Sequence, residues 1–201
     1  IVDFMIDLIE IKNPQKILEP SAGKGIFLKR IQNKLNLSND NIIGIEIDDS
    51  LDNSSNSTII YQDFFDYPVS DIFDVIIGNP PYIRWKHQSK DSRKELLERS
   101  FWGERMNGLT DMLQPFIFKS IDHLKPNGEL IFITPKFWLQ TLHSTPLRKY
   151  IIEQGHIDLL IDFNEKVIFP KASLNLVIFR FKKLVNDQKT MVIKFKTKGK
   201  V

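Results

Sequence analysis

The chain has 201 residues, enough for one domain with a substantial core, and its 42% hydrophobic and 26% charged residues are typical of a soluble globular protein. A net charge of +3 permits a polyanionic partner without requiring one. The lack of cysteine excludes disulfides and thiolate metal sites, the four histidines show no ligand spacing, and no apolar run reaches membrane-spanning length. We therefore expect a cytoplasmic protein without a metal, and the first residue, Ile1, leads us to expect further residues upstream.

Helical and strand patterns then alternate along the chain. Residues 1–11 place apolar side chains from Val2 to Ile9 on one face, which predicts a first helix. Further helices are predicted at 24–37, 111–124 and 136–153, and KPNG at 125–128 is predicted to stop the second of these three. Strands are predicted at seven places: 16–20, 41–48, 58–62, 73–79, 129–135, 156–163 and 174–181.

This alternation predicts a Rossmann-like α/β fold with a seven-stranded, mostly parallel sheet. The last two strands follow each other without a clear helix between them, so we expect an antiparallel pair at one edge of the sheet. Residues 1–181 are interpreted as one catalytic domain. Residues 182–201 are interpreted as a Lys-rich extension or the start of a recognition domain, with a further strand left open at MVIKFK.

The first strand–turn–helix, ILEPSAGKGIFL, has the features of a ligand-binding turn. Gly23 and Gly25 permit positive φ and close backbone approach, and a helix N-terminus follows them. The spacing lacks the third glycine of the dinucleotide fingerprint and the pattern of a phosphate-binding loop. Glu19 would repel a pyrophosphate and would suit a cation. Both glycines are also compatible with an ordinary turn.

Acidic residues follow at the ends of the next two strands. Glu46 lies 21 residues after Gly25, where an acid can accept hydrogen bonds from both ribose hydroxyls. Asp63 could accept from an adenine amino group while Phe64 packs on the ring. The alternatives are a solvated strand end for Glu46 and a turn cap for Asp63. An adenosine with a positive charge and no phosphate is S-adenosylmethionine, the cofactor that this pattern predicts.

The fourth strand ends in Asn79, Pro80, Pro81 and Tyr82. The prolines fix φ and donate no hydrogen bond, so this backbone offers acceptors only. The side-chain oxygen of Asn79 and the carbonyl of Pro80 could hold one amino group, while Tyr82 could stack on a ring or serve in packing. Two acceptors on one exocyclic amine would direct its lone pair towards a methyl donor, so we expect these residues to be catalytic.

The segments LEPSAGKG, GIEID, QDFF and GNPPY occur in an order and spacing that resemble the gamma-class DNA adenine-N6 methyltransferases of restriction–modification systems, including type IIG fusions. The resemblance covers nearly the whole chain. It implies a S-adenosylmethionine-dependent methyltransferase fold and a target adenine flipped out of the DNA. It implies cofactor contacts at ten positions: Glu19, Ser21, Ala22, Gly23, Gly25, Glu46, Ile47, Asp63, Phe64 and Phe116.

The resemblance also implies contacts with the target base from Pro81 and Phe169, although Phe169 is equally compatible with the core. A basic segment with interleaved aromatics at 83–110 suggests phosphate contacts from basic residues such as Arg84 and Lys86, with Trp85 near the target strand. Its alternative is a solvated amphipathic helix. Methylation of a protein glutamine or an RNA base stays open, as does a non-catalytic module of a larger assembly, and a recognition domain or subunit outside the chain is expected.

Overall fold

The computed structural model describes residues 1–35, 37–52, 55–82, 94, 111–164, 166, 168, 175–184 and 189–195. The α-helices within these ranges are α1 (Val2–Asp7), α2 (Ile26–Lys34), α3 (Leu113–Asp122) and α4 (Thr145–Gln154). The strands are β1 (Ile17–Glu19), β2 (Ile42–Glu46), β3 (Thr58–Tyr61), β4 (Phe73–Gly78), β5 (Leu124–Pro135), β6 (Gly155–Asp162), β7 (Leu176–Lys183) and β8 (Met191–Lys194).

The strands form one sheet with the order β3-β2-β1-β4-β5-β7-β6-β8. Strands β1 to β5 pair in parallel, whereas β7 pairs antiparallel with both β5 and β6. The predicted α/β class is therefore confirmed, and β6 and β7 form the antiparallel pair that was expected. Two details differ: the pair lies one strand in from the edge of the sheet because β8 is outside it, and the described residues contribute eight strands rather than seven.

The additional strand is β8, which pairs in parallel with β6 at the rim of the sheet. It lies within MVIKFK, where the sequence left a strand open. Strand β7 also continues two residues past the expected end of the catalytic domain, to Lys183. The described part of the Lys-rich segment thus contributes to the sheet, while its interpretation as the start of a recognition domain stays a prediction.

The helices cover both faces of the sheet in three layers. Helices α1 and α2 pack on one face through Met5, Ile6, Phe27, Leu28 and Ile31. Helices α3 and α4 pack on the other face through the following side chains: Leu113, Phe116, Ile117, Phe118, Ile121, Leu147, Tyr150 and Ile151. Burial on both faces explains the near-continuous apolar runs of the central strands.

The helix predicted at 136–153 is wrong over its first half. Residues 136–139 and 142–144 form 3-10 turns, and α4 begins only at Thr145 with Pro146 in its first turn. A proline inside a helix removes a hydrogen bond and collides with the preceding turn, whereas it is tolerated at the start. Pro146 therefore determines where this helix begins.

The expected stop at KPNG is also wrong. Helix α3 ends at Asp122, and β5 begins at Leu124, so residues 125–128 lie inside the strand. The pairing with β4 shifts there, from Phe73 opposite Leu124 to Val75 opposite Glu129, and Asn127 adopts φ 62°. The turn-forming residues of KPNG thus build an irregularity in the strand rather than a helix end.

Candidate cofactor and amine site

The predicted site residues meet at the carboxyl ends of four neighbouring strands. Strand β1 ends at Glu19, β2 ends at Glu46, Asp63 follows β3 and Asn79 follows β4. Strands β1 and β4 are adjacent, and the chain order reverses between them. Crevices at such a reversal are the usual ligand sites of open α/β sheets. The fold therefore brings together side chains that are up to 60 residues apart in sequence.

The turn between β1 and α2 requires both of its glycines. Gly23 has φ 54° and Gly25, which precedes α2, has φ 72°, a left-handed region that side chains with a Cβ rarely adopt. The amide of Ala22 donates to the carbonyl of Ile45 at 2.8 Å and fastens the turn to β2. A Cβ added at Gly23 would meet nothing within 4 Å, so the space above this turn is open to a ligand.

The carboxylate of Glu46 is fixed by backbone amides. Its Oε2 accepts from the amide of Gly23 at 2.7 Å, and its Oε1 accepts from Ile47 at 2.9 Å and Asp48 at 3.0 Å. Glu46 is therefore not the solvated strand end of the alternative interpretation, since it is buried and ties β2 to the glycine turn. Each carboxylate oxygen has two lone pairs, so these bonds leave acceptor capacity for a hydroxyl.

An aromatic cavity of about 300 Å³ opens beside Glu46. The rings of Phe64 and Phe116 form one side, with their centroids 5.2 Å apart. Asp63 also lines this cavity, and its Oδ1 accepts from the amide of Phe65 at 2.9 Å. The turn cap considered for Asp63 is thus present. The cavity has twelve lining residues: Pro20, Ser21, Ile45, Glu46, Ile47, Gln62, Asp63, Phe64, Phe65, Pro81, Met112 and Phe116.

A second cavity, of about 370 Å³, adjoins the first at Ser21. It lies between the glycine turn, the start of α1 and the end of β4, and it contains both Glu19 and Asn79. Glu19 is buried, and its Oε2 has no hydrogen-bond partner within the described part of the chain. Burial raises the pKa of Glu19 well above its usual range, and the neighbouring charge of Glu46 adds to the rise.

The residues after β4 differ in exposure. Asn79 is exposed, Pro80 is buried, and Pro81 and Tyr82 are half-buried. The hydroxyl of Tyr82 donates to Oδ1 of Asn79, and burial raises the pKa of Tyr82. The acceptor expected to hold an amine is therefore occupied by a hydroxyl of the same segment.

Four predicted residues, Arg84, Trp85, Lys86 and Phe169, lie outside the described residues. The sequence interpretation missed several lining residues, of which Gln62 directly follows β3 and could have been found from that position. Met112, which lines the aromatic cavity, and Ile133, which lines the second cavity, gave no such signal. Within the described ranges, no group of three or more His, Asp or Glu residues could hold a metal ion. The same part of the chain has no helix with the length and apolar character needed to cross a membrane.

The chain is similar in sequence to known restriction–modification methylases. The model of the Eco57I restriction-modification methylase family matches residues 13–169. The Type II methyltransferase M.HincII of Haemophilus influenzae is 38% identical over 201 residues, which is 100% of this chain and 39% of that protein. The chain thus spans about two fifths of the length of the curated relatives it matches.

Solved structures share the fold at low identity. A Listeria monocytogenes protein assigned to the class I S-adenosylmethionine-dependent methyltransferases superposes with a TM-score of 0.72 at 20% identity, covering 98% of this chain and 63% of that one. The methyltransferase subunit of a type I restriction–modification system from Streptococcus thermophilus gives a TM-score of 0.72 at 19% identity, covering 98% of this chain and 47% of that one. At these identities the likeness establishes a class I methyltransferase fold.

Proposed function

Because the chain belongs to the Eco57I restriction-modification methylase family, we propose that it carries the catalytic part of a DNA methyltransferase that uses S-adenosylmethionine and modifies the N6 amino group of adenine. The observation that carries this proposal is the pair of adjoining cavities, which join an aromatic compartment beside Glu46 to a compartment that holds Glu19 and Asn79. The first suits an adenosine, and the second suits a cationic group next to an amine.

The residues of both cavities fit this cofactor. Phe64 and Phe116 would pack on the adenine, and Glu46 would accept from a ribose hydroxyl through Oε2 while its backbone partners hold it in place. The open space above Gly23 would leave room for the cofactor to approach this turn. The unpartnered Oε2 of Glu19 would face the positively charged half. The cofactor supplies an electrophilic methyl group on a sulfonium sulfur.

The residues after β4 would orient the amine. Oδ1 of Asn79 and the carbonyl of Pro80 would accept its two N–H bonds, which holds the nitrogen lone pair towards the methyl donor. Tyr82 would stack on the base once its hydroxyl has left Asn79. Because N6 of a paired adenine lies inside the duplex, the base would have to be flipped out. The remaining three fifths of relatives such as M.HincII leave room for a domain that reads the target sequence.

The test is methyl transfer by the full-length protein in three parallel arms: duplex DNA, RNA and a protein extract, each with tritiated S-adenosylmethionine. Label in DNA, followed by detection of N6-methyladenine in digested nucleosides by mass spectrometry, is the expected result. Label in protein glutamine or in RNA would instead support one of the alternative substrates. N4-methylcytosine in the DNA arm would contradict the assignment to adenine.

A further inference from the structure

Lys119 on α3 is a buried lysine with a specific role in the packing. Only 3% of the residue is exposed, and its ammonium donates to the carbonyls of Phe65 at 2.7 Å and Tyr67 at 2.6 Å. Burying an ammonium is costly unless hydrogen bonds compensate it, so two short bonds to one turn indicate a strong local tie. These bonds join segments that are more than 50 residues apart in sequence.

The turn that Lys119 holds forms one wall of the aromatic cavity. It carries Asp63 and Phe64, both of which line that cavity. The ammonium of Lys119 lies 5.5 Å from the ring centroid of Phe64, within the range of a cation–π interaction. Phe116 lies three residues before Lys119, and therefore on the same side of α3, and its ring packs on Phe64. Helix α3 thus contributes Phe116 to the cavity wall and also the tie that holds the neighbouring Phe64 in that wall.

We propose that Lys119 is a positioning residue for the adenine of the cofactor: it fixes the turn of residues 63–67 so that Asp63 and Phe64 are already arranged before the cofactor binds. This inference rests on the proposed function. Because the turn is already ordered in the free protein, cofactor binding does not carry the entropic cost of ordering it. The effect of Lys119 should therefore be seen in the affinity for the cofactor rather than in the rate of methyl transfer.

The chain offers a matched control in Lys183 on β7. Its ammonium donates to the carbonyl of Ile121 at 2.9 Å, in the last turn of the same helix, and to the carbonyl of Leu124 at 2.8 Å, just after that helix. Both lysines join α3 to a neighbouring element through bonds to backbone carbonyls, yet Lys183 lines neither of the two cavities. The variant Lys183→Met should therefore lower thermal stability without changing cofactor affinity.

The experiment compares the wild-type protein, Lys119→Met and Lys183→Met by calorimetry with S-adenosylmethionine and with 5′-methylthioadenosine, which keeps the adenosine but lacks the amino acid. For Lys119→Met we expect Kd to rise about tenfold for both ligands, equivalent to about 1.4 kcal/mol. The KM for the cofactor should rise similarly, with kcat at saturating cofactor and the KM for DNA within about twofold of wild type. Lys183→Met should leave both Kd values within about twofold.

Several results would overturn this role. An unchanged Kd in Lys119→Met, an equal loss of affinity in both variants, or a loss for S-adenosylmethionine alone would each contradict a role at the adenine. If Lys119→Met does not fold, Lys119→Gln keeps a neutral NH2 donor on a shorter side chain and should show an intermediate Kd, so wild-type affinity in that variant would also overturn the inference. A wild-type protein that binds neither ligand would refute the proposed function itself.

Discussion

At the residue scale, the charged form of Glu19 has opposite effects on two properties. Its burial lowers the stability of the free protein, whereas its negative charge favours binding of the cationic cofactor. The buried carboxyl of Glu19 has a pKa raised above the ordinary 4.5 because burial disfavours the charged form. A cation bound beside it favours ionisation, so binding of S-adenosylmethionine should release a proton. We therefore expect cofactor affinity to rise with pH until the pH exceeds the raised pKa of Glu19 in the free protein, and calorimetry in buffers of different ionisation enthalpy would detect the released proton.

The variant Glu19→Gln separates the two effects. When an acidic residue has a raised pKa in the folded state, the protein loses stability as the pH rises through that pKa. The cofactor-free Glu19→Gln variant should therefore be at least as stable as the wild-type protein at neutral pH. Its affinity for S-adenosylmethionine should fall about tenfold and lose the pH dependence. Identical proton release in the variant and the wild type would exclude Glu19 as the titrating group.

Asn79 should act on turnover rather than on cofactor binding. The variant Asn79→Ala removes one of the two proposed acceptors for the amine, and loss of one such catalytic hydrogen bond typically lowers kcat by about 10² to 10³. Its Kd for the cofactor should stay within about twofold by calorimetry. Turnover close to that of wild type would refute the proposed role of Asn79.

Tyr82→Phe is the matched variant for Asn79, because it keeps the ring and removes the hydroxyl that donates to Oδ1 of Asn79. If that bond competes with the target amine, the variant should retain activity, and its KM for DNA should not rise. A large loss of kcat would instead assign a direct role in transfer to the hydroxyl.

At the scale of elements, the close approach of α2 to β2 supports the glycine turn. A Cβ at Gly44 would lie 2.6 Å from Cδ1 of Leu28 and 2.9 Å from Cβ of Ala22. Gly44→Ala should therefore destabilise the protein by about 1–3 kcal/mol and weaken cofactor binding, because the turn must move. Adding Leu28→Val removes the nearest atom, so denaturation of the double variant should show partial recovery. If the stability losses of the two single variants simply add up in the double variant, the contact with Leu28 is not the cause of the destabilisation.

At the scale of the whole molecule, a ligand that bridges four strand ends should stabilise the fold. The two cavities join residues from β1 and β2 and from the segments after β3 and β4. A ligand at one hundred times its Kd adds about 2.7 kcal/mol to the free energy of unfolding. S-adenosylmethionine should therefore raise Tm by several degrees, with a smaller shift in Glu46→Ala at the same concentration. An equal shift in both proteins would place the ligand elsewhere.

The sequence by itself determined the class of fold and the positions of Glu19, Glu46, Asp63 and Asn79 at successive strand ends. These features depend on local properties: apolar runs make buried strands, glycines permit the turn, and Pro80 and Pro81 end β4. The start of α4 was equally local, since Pro146 determines it. That boundary was missed although its signal was present.

Only the tertiary structure decided the contacts that complete the site. The insertion of β7 between β5 and β6 and the addition of β8 at the rim depend on pairing between distant segments. The same holds for the bond from Gly23 to Glu46 and for the tie from Lys119 to the turn of residues 63–67. In the sequence, Lys119 is an ordinary helical lysine. Its partners are backbone carbonyls, which every residue carries, so no pattern of side chains could reveal them.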